Sequence, residues 1–304
     1  MKPLSFVIIT YNRPADMLEL AENIASLDKA EKLLEEVIIV NNASTKDYSV
    51  VKEFVHDHTN IPFRFVDAPE NLGVAKGRNY ALQLGIAPYV IMIDDDAVLQ
   101  NKNALTNLLE VFETTVGNRP TAIICFKVLY YDNLEMQVNA FPHKNFSSLR
   151  DKDFFQTYYY AGGAHAIRRE VFAKTGNYPV DFFYGMEEYD LSYRILDHGY
   201  AIAYSDKVVM LHKESPLGRK TKKEKMAMLW INKSKVAWRY LPVRYYFSTA
   251  FLWSLEYLGK TGLDIGGWFR GWKHILKIPS AEKRVPVKKS TLEYLSSVDA
   301  RLWY

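Results

Sequence analysis

Residues 89–99 read YVIMIDDDAVL, an apolar, β-forming run that breaks abruptly on Asp94, Asp95 and Asp96. A continuous apolar run of this length is the signature of a strand buried on both faces, as in parallel sheets. Carboxylates at the edge of a low-dielectric interior repel one another and lose hydration, so they sit there with a cation or with hydrogen-bonding partners. Read alone, the three fit a divalent-cation site. They fit equally a solvated turn leading into the amphipathic helix that DDDAVLQNKNALTNLLEVFE (94–113) predicts.

The same alternation fills the chain before this stretch. SFVIIT (5–10), EEVIIV (35–40) and FRFVDA (63–68) are followed by the helical patterns PADMLELAENIASL (14–27), DYSVVKEFVHDH (47–58) and GVAKGRNYALQLG (73–85). Strands alternating with helices predict an α/β fold whose mostly parallel sheet carries helices on both faces. Ligands of such sheets bind at the carboxyl ends of the strands. Thr10, Tyr11, Asn12 and Arg13 follow the first strand, Asn41, Asn42 and Ser44 the second, and Asp94 to Asp96 the fourth, so parallel strands converge these polar groups on one rim. In PENLGVAKGRN (69–79), Gly73 and Gly77 permit close backbone approach, and Lys76, Arg78 and a helix N-terminus favour phosphate; a plain glycine turn is the alternative. Neither a Walker A nor a GxGxxG pattern is there, so a P-loop and a dinucleotide fold find no support.

Further on come YYYAGGAHAIRREVFAKTGNYP (158–179), FFYGMEEYDLSYRILDHGY (182–200) and VVMLHKES (208–215). Gly162, Gly163 and Ala164 are small residues in bulky surroundings, the mark of a place where a ligand lies against backbone. Glu187, Glu188 and Asp190 open a helix, where the dipole favours carboxylates; capping accounts for one of them, and three invite a chemical role.

Hydrophobic content of 48% and charged content of 24% describe a globular chain with a sizeable core, and 304 residues accommodate one large domain or two. The net charge of +4 is uneven: between Lys213 and Arg244 ten cations face only Glu214 and Glu224. By charge alone that stretch suits phosphate, anionic lipid, nucleic acid or a solvated helix face. The single Cys125, in TAIICFKV (121–128), excludes an intrachain disulfide and reads as a small buried apolar side chain. MKPLSFVIIT lacks the length and cleavage pattern of a signal peptide, and YYFSTAFLWSLEYLG (245–259) is too short to span a bilayer and contains Glu256. The expected location is cytoplasmic, with peripheral attachment to the inner face of the plasma membrane left open.

The ordered set SFVIITYNRP, EEVIIVNNAST, NLGVAKGRN, IMIDDD, AGGAHAIRRE, YGMEEYDLSYR and VVMLH resembles the inverting family 2 glycosyltransferases of the GT-A fold, over about residues 4 to 215 and with further likeness in the C-terminal tail. The resemblance implies a Rossmann-like α/β domain over residues 1–216. Asp94 to Asp96 match the family's DXD-type motif. By that match Asp96 binds Mn²⁺ or Mg²⁺, Asp94 helps to hold both nucleotide and metal, and Asp95 lies on the nucleotide side. A hard divalent cation with oxygen ligands would neutralise a leaving nucleoside diphosphate, in agreement with the carboxylate cluster. The residue matching His212 completes the metal site among relatives, against the plainer reading of a structural histidine.

The match also makes Glu188 the general base, with Glu187 the alternative and Asp190 fixing the helix or the acceptor; Gly163 falls on the donor-sugar and acceptor side. Relatives commonly carry Asp at the position of Glu188 and Asp at that of Asn41, which contacts the pyrimidine base. Asn both donates and accepts, so uracil or thymine still fits and the choice between them is open. Thr10, Tyr11, Arg13 and Arg78 match the remaining nucleotide-side positions.

Residues 217–304 change character. NKSKVAWRYLPVRYYFSTAFLWSLEYLGKTGLDIGGWFRGWKHILKIP (232–279) mixes cations with Trp253, Trp268, Phe269 and Trp272 at helical intervals. Such a region lies in a membrane interface, packs on the catalytic domain or joins two copies of the chain. The expectation is a metal-dependent inverting glycosyltransferase that uses a UDP- or dTDP-sugar and extends a glycan or lipid-linked glycan of the cell surface, with no nucleic-acid partner. A sugar nucleotidyltransferase is the enzymatic rival, but it needs a glycine-rich, lysine-bearing loop where this chain has TYNRPAD (10–16). A nucleotide-sugar-binding protein that has lost catalysis is the rival of another class.

Overall fold

The four apolar runs of the N-terminal half form strands β1 (Leu4–Thr10), β2 (Leu34–Asn41), β3 (Phe63–Asp67) and β4 (Tyr89–Ile93). Between them lie helices Pro14–Ala25, Ser49–Asp57 and Gly73–Gln83. This computed structural model describes residues 1–114, 118–215 and 221–303; the expected boundary at Pro216, and Arg219 and Lys220 of the basic stretch, lie outside the described residues. Pairing is parallel in the order β3-β2-β1-β4, with Thr10 beside Asn41 and Asn41 beside Asp67, so the strand ends share one rim.

The second half extends the sheet with β5 (Ala97–Leu99), β6 (Thr121–Tyr130), β7 (Phe154–Thr157), β8 (Ala164–Arg168) and β9 (Ala201–His212). Strand β8 is antiparallel to both β4 and β6, β6 and β9 are parallel, and β5 and β7 run antiparallel to β9. The sheet is therefore mixed: β5, β7 and β8 run against the other strands, and the parallel character read from the sequence belongs mainly to the first half.

Alternate residues of β1 serve opposite faces, as a two-residue period requires: Phe6 and Ile8 pack with Leu20, Ile24 and Leu105, while Val7 packs with Met92, Leu82 and Leu191. The residues expected to form a separate C-terminal region share this second core. Trp230, Tyr245, Tyr257 and Tyr294 belong to the same buried cluster as Val7 and Met92. Helices Lys222–Tyr240, Val243–Thr261 and Ile265–Ile275 form that region, and the last helix, Lys289–Ser297, returns to the sheet, where the Tyr294 hydroxyl donates to the Thr157 carbonyl at 3.2 Å. Trp253, Trp268 and Trp272 pack against this core, whereas Phe269 is exposed.

Candidate active site

The chain leaves β4 at Ile93 and re-enters the sheet almost at once as β5, whose pairing with β9 sets Ala97 opposite His212. That register brings His212 beside the carboxylates: its Nε2 lies 3.3 Å from Asp96 Oδ1 and 4.0 Å from Asp94 Oδ2. Ligand atoms of Asp94, Asp96 and His212 all fall within 4.8 Å of one another. His212 Nδ1 is 3.0 Å from Gln137 Oε1, an oxygen that only accepts, so Nδ1 carries a proton and Nε2 is the ring nitrogen that faces the two aspartates. Asp96 Oδ2 accepts the Ser215 backbone N–H at 2.8 Å, while Oδ1 is buried without a hydrogen bond. Two carboxylates and an imidazole, one oxygen among them buried and unsatisfied, fit a divalent cation such as Mn²⁺ or Mg²⁺. Burial opposes ionisation of both partners, yet their attraction prevails, holding the Asp96 carboxyl below its ordinary value and raising the His212 imidazole above its own.

Asp95 faces the end of β1. Its Oδ2 accepts the Thr10 hydroxyl at 2.7 Å and the Tyr11 N–H at 3.3 Å, and its Oδ1 meets Arg13 Nη1 at 2.7 Å. Having donated to a carboxylate, the Thr10 hydroxyl accepts from Tyr48 at 2.6 Å. Burial pushes the Asp95 carboxyl up to about 6 against the pull of Arg13 and Thr10. Arg13 also reaches Asp96 at 3.2 Å and the Ser215 carbonyl at 3.1 Å, which fastens the loop after β1 to the end of β9.

Across the rim, Gly185 and Met186 take left-handed φ of 78° and 74° and turn the chain into helix Glu187–Asp197. Glu187 is buried and Glu188 partly exposed, and Arg78 Nη1 joins them at 3.4 and 3.0 Å. Burial, followed by the charge of Glu188, raises the Glu187 pKa, against the opposing pull of Arg78. A Cβ on Gly162 would collide with Glu188 Oε1 and Arg78, and one on Gly163 with the Asp94 carboxylate. The small residues expected to admit a ligand therefore make room first for the protein's own acidic groups. Asp190 turns elsewhere: Oδ1 is bound by Arg194, and Oδ2 by Arg239 at 2.9 Å and by the Tyr240 hydroxyl at 3.0 Å. With one oxygen bound within its own helix and the other by the helix Lys222–Tyr240, it ties the helix Glu187–Asp197 to the C-terminal region and does not line the cavity, which fits the first of its two expected roles, fixing the helix, and not a place beside the acceptor.

A cavity of about 560 Å³ opens at the rim, lined by Tyr11, Arg13, Arg78, Asp94, Asp95, Asp96, His212 and Gly162 among others. Thr10 lies beneath the lining, fully buried. Asn41 spends its amide on Asp67 at 2.7 Å and on the Ser44 N–H at 3.1 Å, and it does not line the cavity; its neighbours Asn42 and Asn71 do. Lys76 is exposed away from the lining. Phe183, Tyr184 and Lys225 complete the walls. Sequence reasoning missed Phe183 and Tyr184, together with Tyr48 and Gln137, because nothing local marks them; Lys225 belongs to the basic stretch read as suited to phosphate, and Asn42 and Asn71 stood in strand-end and loop positions already singled out.

Solved structures share this architecture. GalNAc-T7 with UDP, GalNAc and Mn²⁺ aligns over 99% of this chain and 58% of its own, with a TM-score of 0.66 and 15% identity. S. aureus TarS 1–349 with UDP-GlcNAc aligns over 98% of this chain and 88% of its own, with a TM-score of 0.62 and 15% identity. In sequence, the O-antigen chain rhamnosyltransferase WbaN of Salmonella anatum is 24% identical over 221 residues, 70% of this chain and 66% of that protein. The family model described as glycosyl transferase family 2 matches residues 5–176, which span β1 to β8 and hold the aspartate cluster and both rim glycines, and the chain belongs to that family.

Proposed function

We propose that the protein transfers a sugar, with inversion at the anomeric carbon, from a UDP- or dTDP-sugar to a hydroxyl of a glycan or lipid-linked glycan in surface polysaccharide synthesis. The convergence of Asp94, Asp96 and His212 at one end of a cavity that has Arg78 on its wall, with Glu188 beside Arg78, carries this reading. Those three residues would hold Mn²⁺ or Mg²⁺, which when bound would supply Lewis-acid neutralisation of the departing diphosphate.

The protein's own groups do the rest. Tyr11, Arg13 and Asp95 form the wall on the nucleotide side, supported by Thr10 and Tyr48. Asn41 fixes Asp67, whose half-exposed carboxylate offers an acceptor for the ring N–H of uracil or thymine. Arg78 orients Glu188, which takes the acceptor proton as the new glycosidic bond forms and the anomeric carbon–oxygen bond to the diphosphate breaks. The products are the glycoside and a nucleoside diphosphate. Glu188 rather than Glu187 suits the base because Glu187 is almost wholly enclosed. The O-antigen rhamnosyltransferase among its relatives, and the UDP-GlcNAc held by the TarS structure, support the surface-glycan and nucleotide-sugar parts.

The test is a panel of nucleotide sugars incubated with candidate acceptors, with and without EDTA, reading released nucleoside diphosphate and the product's anomeric configuration. Transfer that EDTA abolishes, that inverts configuration and that Glu188→Gln slows by about 10²- to 10⁴-fold is expected. Full turnover in EDTA, or a retained configuration, refutes the mechanism.

A further inference from the structure

Helices Val243–Thr261 and Ile265–Ile275 form an antiparallel hairpin. The Tyr246 hydroxyl donates to the Ile275 carbonyl at 2.8 Å near one end, and the Tyr257 hydroxyl to Asp264 at 2.9 Å near the turn. The inward face is filled: Tyr246, Ala250, Tyr257 and Ile275 are buried, and Gly271 leaves room for the Trp230 ring. The outward face is apolar. Phe247 is 65% exposed, and Phe251 and Leu255 follow at four-residue intervals; Ile265, Phe269 and Leu276 stand on the second arm. The first row alone runs about 12 Å along the helix. Exposed apolar surface concentrated on one hairpin marks a contact site.

The charges on the same segment indicate the partner. Residues 243–277 contain Arg244, Lys260, Arg270, Lys273 and Lys277, all exposed, against only Glu256 and Asp264. A twofold contact with a second copy would set these cations against themselves, which is repulsive. No helix among the described residues is long and apolar enough to cross a membrane. We infer that the hairpin docks in the plane of a lipid bilayer carrying anionic headgroups, with the aromatic and aliphatic row below the headgroups and the cations at the phosphates. The hairpin turn carries Leu263, 68% exposed.

The test uses the full chain and sedimentation with vesicles of phosphatidylcholine, with or without phosphatidylglycerol. It requires neither donor nor divalent cation, so its failure and the failure of the glycosyl-transfer reading are separate results. The parent should sediment with the anionic vesicles, less so as salt rises. Arg270→Glu/Lys273→Glu/Lys277→Glu should lower the partition coefficient by about a hundredfold or more. Phe247→Ser/Phe251→Ser/Phe269→Ser should abolish binding while the circular dichroism spectrum and melting curve stay those of the parent, since all three side chains are exposed. Equal binding of parent and both variants, equal binding to vesicles without phosphatidylglycerol, or a concentration-dependent dimer that the apolar variant dissolves in sedimentation velocity would each overturn the inference.

Discussion

Gly163→Ala tests the construction of the candidate cation site with a single methyl group. The added Cβ would fall on the Asp94 carboxylate, which must retreat by more than about 1 Å to regain ordinary contact, whereas metal–ligand distances tolerate about 0.2 Å. The backbone itself does not object, because Gly163 lies outside the left-handed region. The Asp94 side chain is 46% exposed, so it can swing into solvent without disturbing the core, and the stability change should stay within about 0.5 kcal/mol. Its loss as a ligand should weaken Mn²⁺ binding by at least about 10- to 100-fold, roughly 1.4–2.7 kcal/mol. Isothermal titration of Mn²⁺, alone and with nucleoside diphosphate, reads the affinity, and thermal melts read the fold. The neighbouring Gly162→Ala supplies the contrast: its Cβ would meet Glu188 and approach within 2.5 Å of Arg78 Nη2, so Mn²⁺ affinity should survive while transfer falls by about 10²-fold or more. A folded Gly163→Ala protein with parental Mn²⁺ affinity would refute the reasoning, as would loss of affinity in Gly162→Ala alone.

Gln137→Leu removes the group that fixes the His212 tautomer and should weaken Mn²⁺ binding by about tenfold in the same titration, with an unchanged fold. Arg239→Met removes the cation that Asp190 and Glu282 share but leaves them Arg194 and Lys235, and should cost about 1.5–3 kcal/mol in urea unfolding. If Asp190 serves only this tie, the acceptor KM of the folded variant stays that of the parent. The raised pKa of Glu187, caused first by burial and then by Glu188, means that the folded state holds this proton more tightly than the unfolded state. Its contribution is therefore complete below the ordinary carboxylate pKa and is lost as pH rises through the folded value. Glu187→Gln should flatten that fall when urea midpoints are measured across a pH series.

The N-terminal strands and helices were legible because each has one unambiguous period: SFVIIT and EEVIIV are continuous apolar runs, and PADMLELAENIASL carries Met17, Leu20, Ala21 and Ile24 on a single buried face. The convergence of Thr10, Asn41 and Asp94 to Asp96 followed from parallel pairing alone. Strand β5 did not, since three residues that pair only with a segment more than a hundred positions away show no local pattern. Arg78 read as a phosphate ligand from its place in a glycine-spaced helix start, yet burial and two carboxylates across the rim engage its guanidinium, a contact 109 residues distant in sequence. Asp190, opening a helix with Glu187 and Glu188, read as fixing the helix or the acceptor; that it also reaches Arg239 and Tyr240 of the C-terminal region had no local sign. Gln137 and Tyr48 are ordinary polar residues whose partners exist only in three dimensions.

The pairing of Ala97 with His212 bears on how the chain reaches its native state. The contacts that build the rim link positions 85, 119 and 202 residues apart: Thr10 to Asp95, Asp96 to Ser215, and Arg13 to Ser215. Closing loops of that length costs entropy before any contact repays it, and folds dominated by such pairings form slowly. Strand β5 has too few residues to hold β9 until β9 is already seated on β6. His212 consequently meets Asp96 only once β9 is seated, and a chain still being synthesised, with β1 to β4, β6 and β8 paired but β9 not yet made, has the aspartates without the histidine. The meeting of these three side chains thus marks the completion of the sheet, reached in one late step rather than strand by strand.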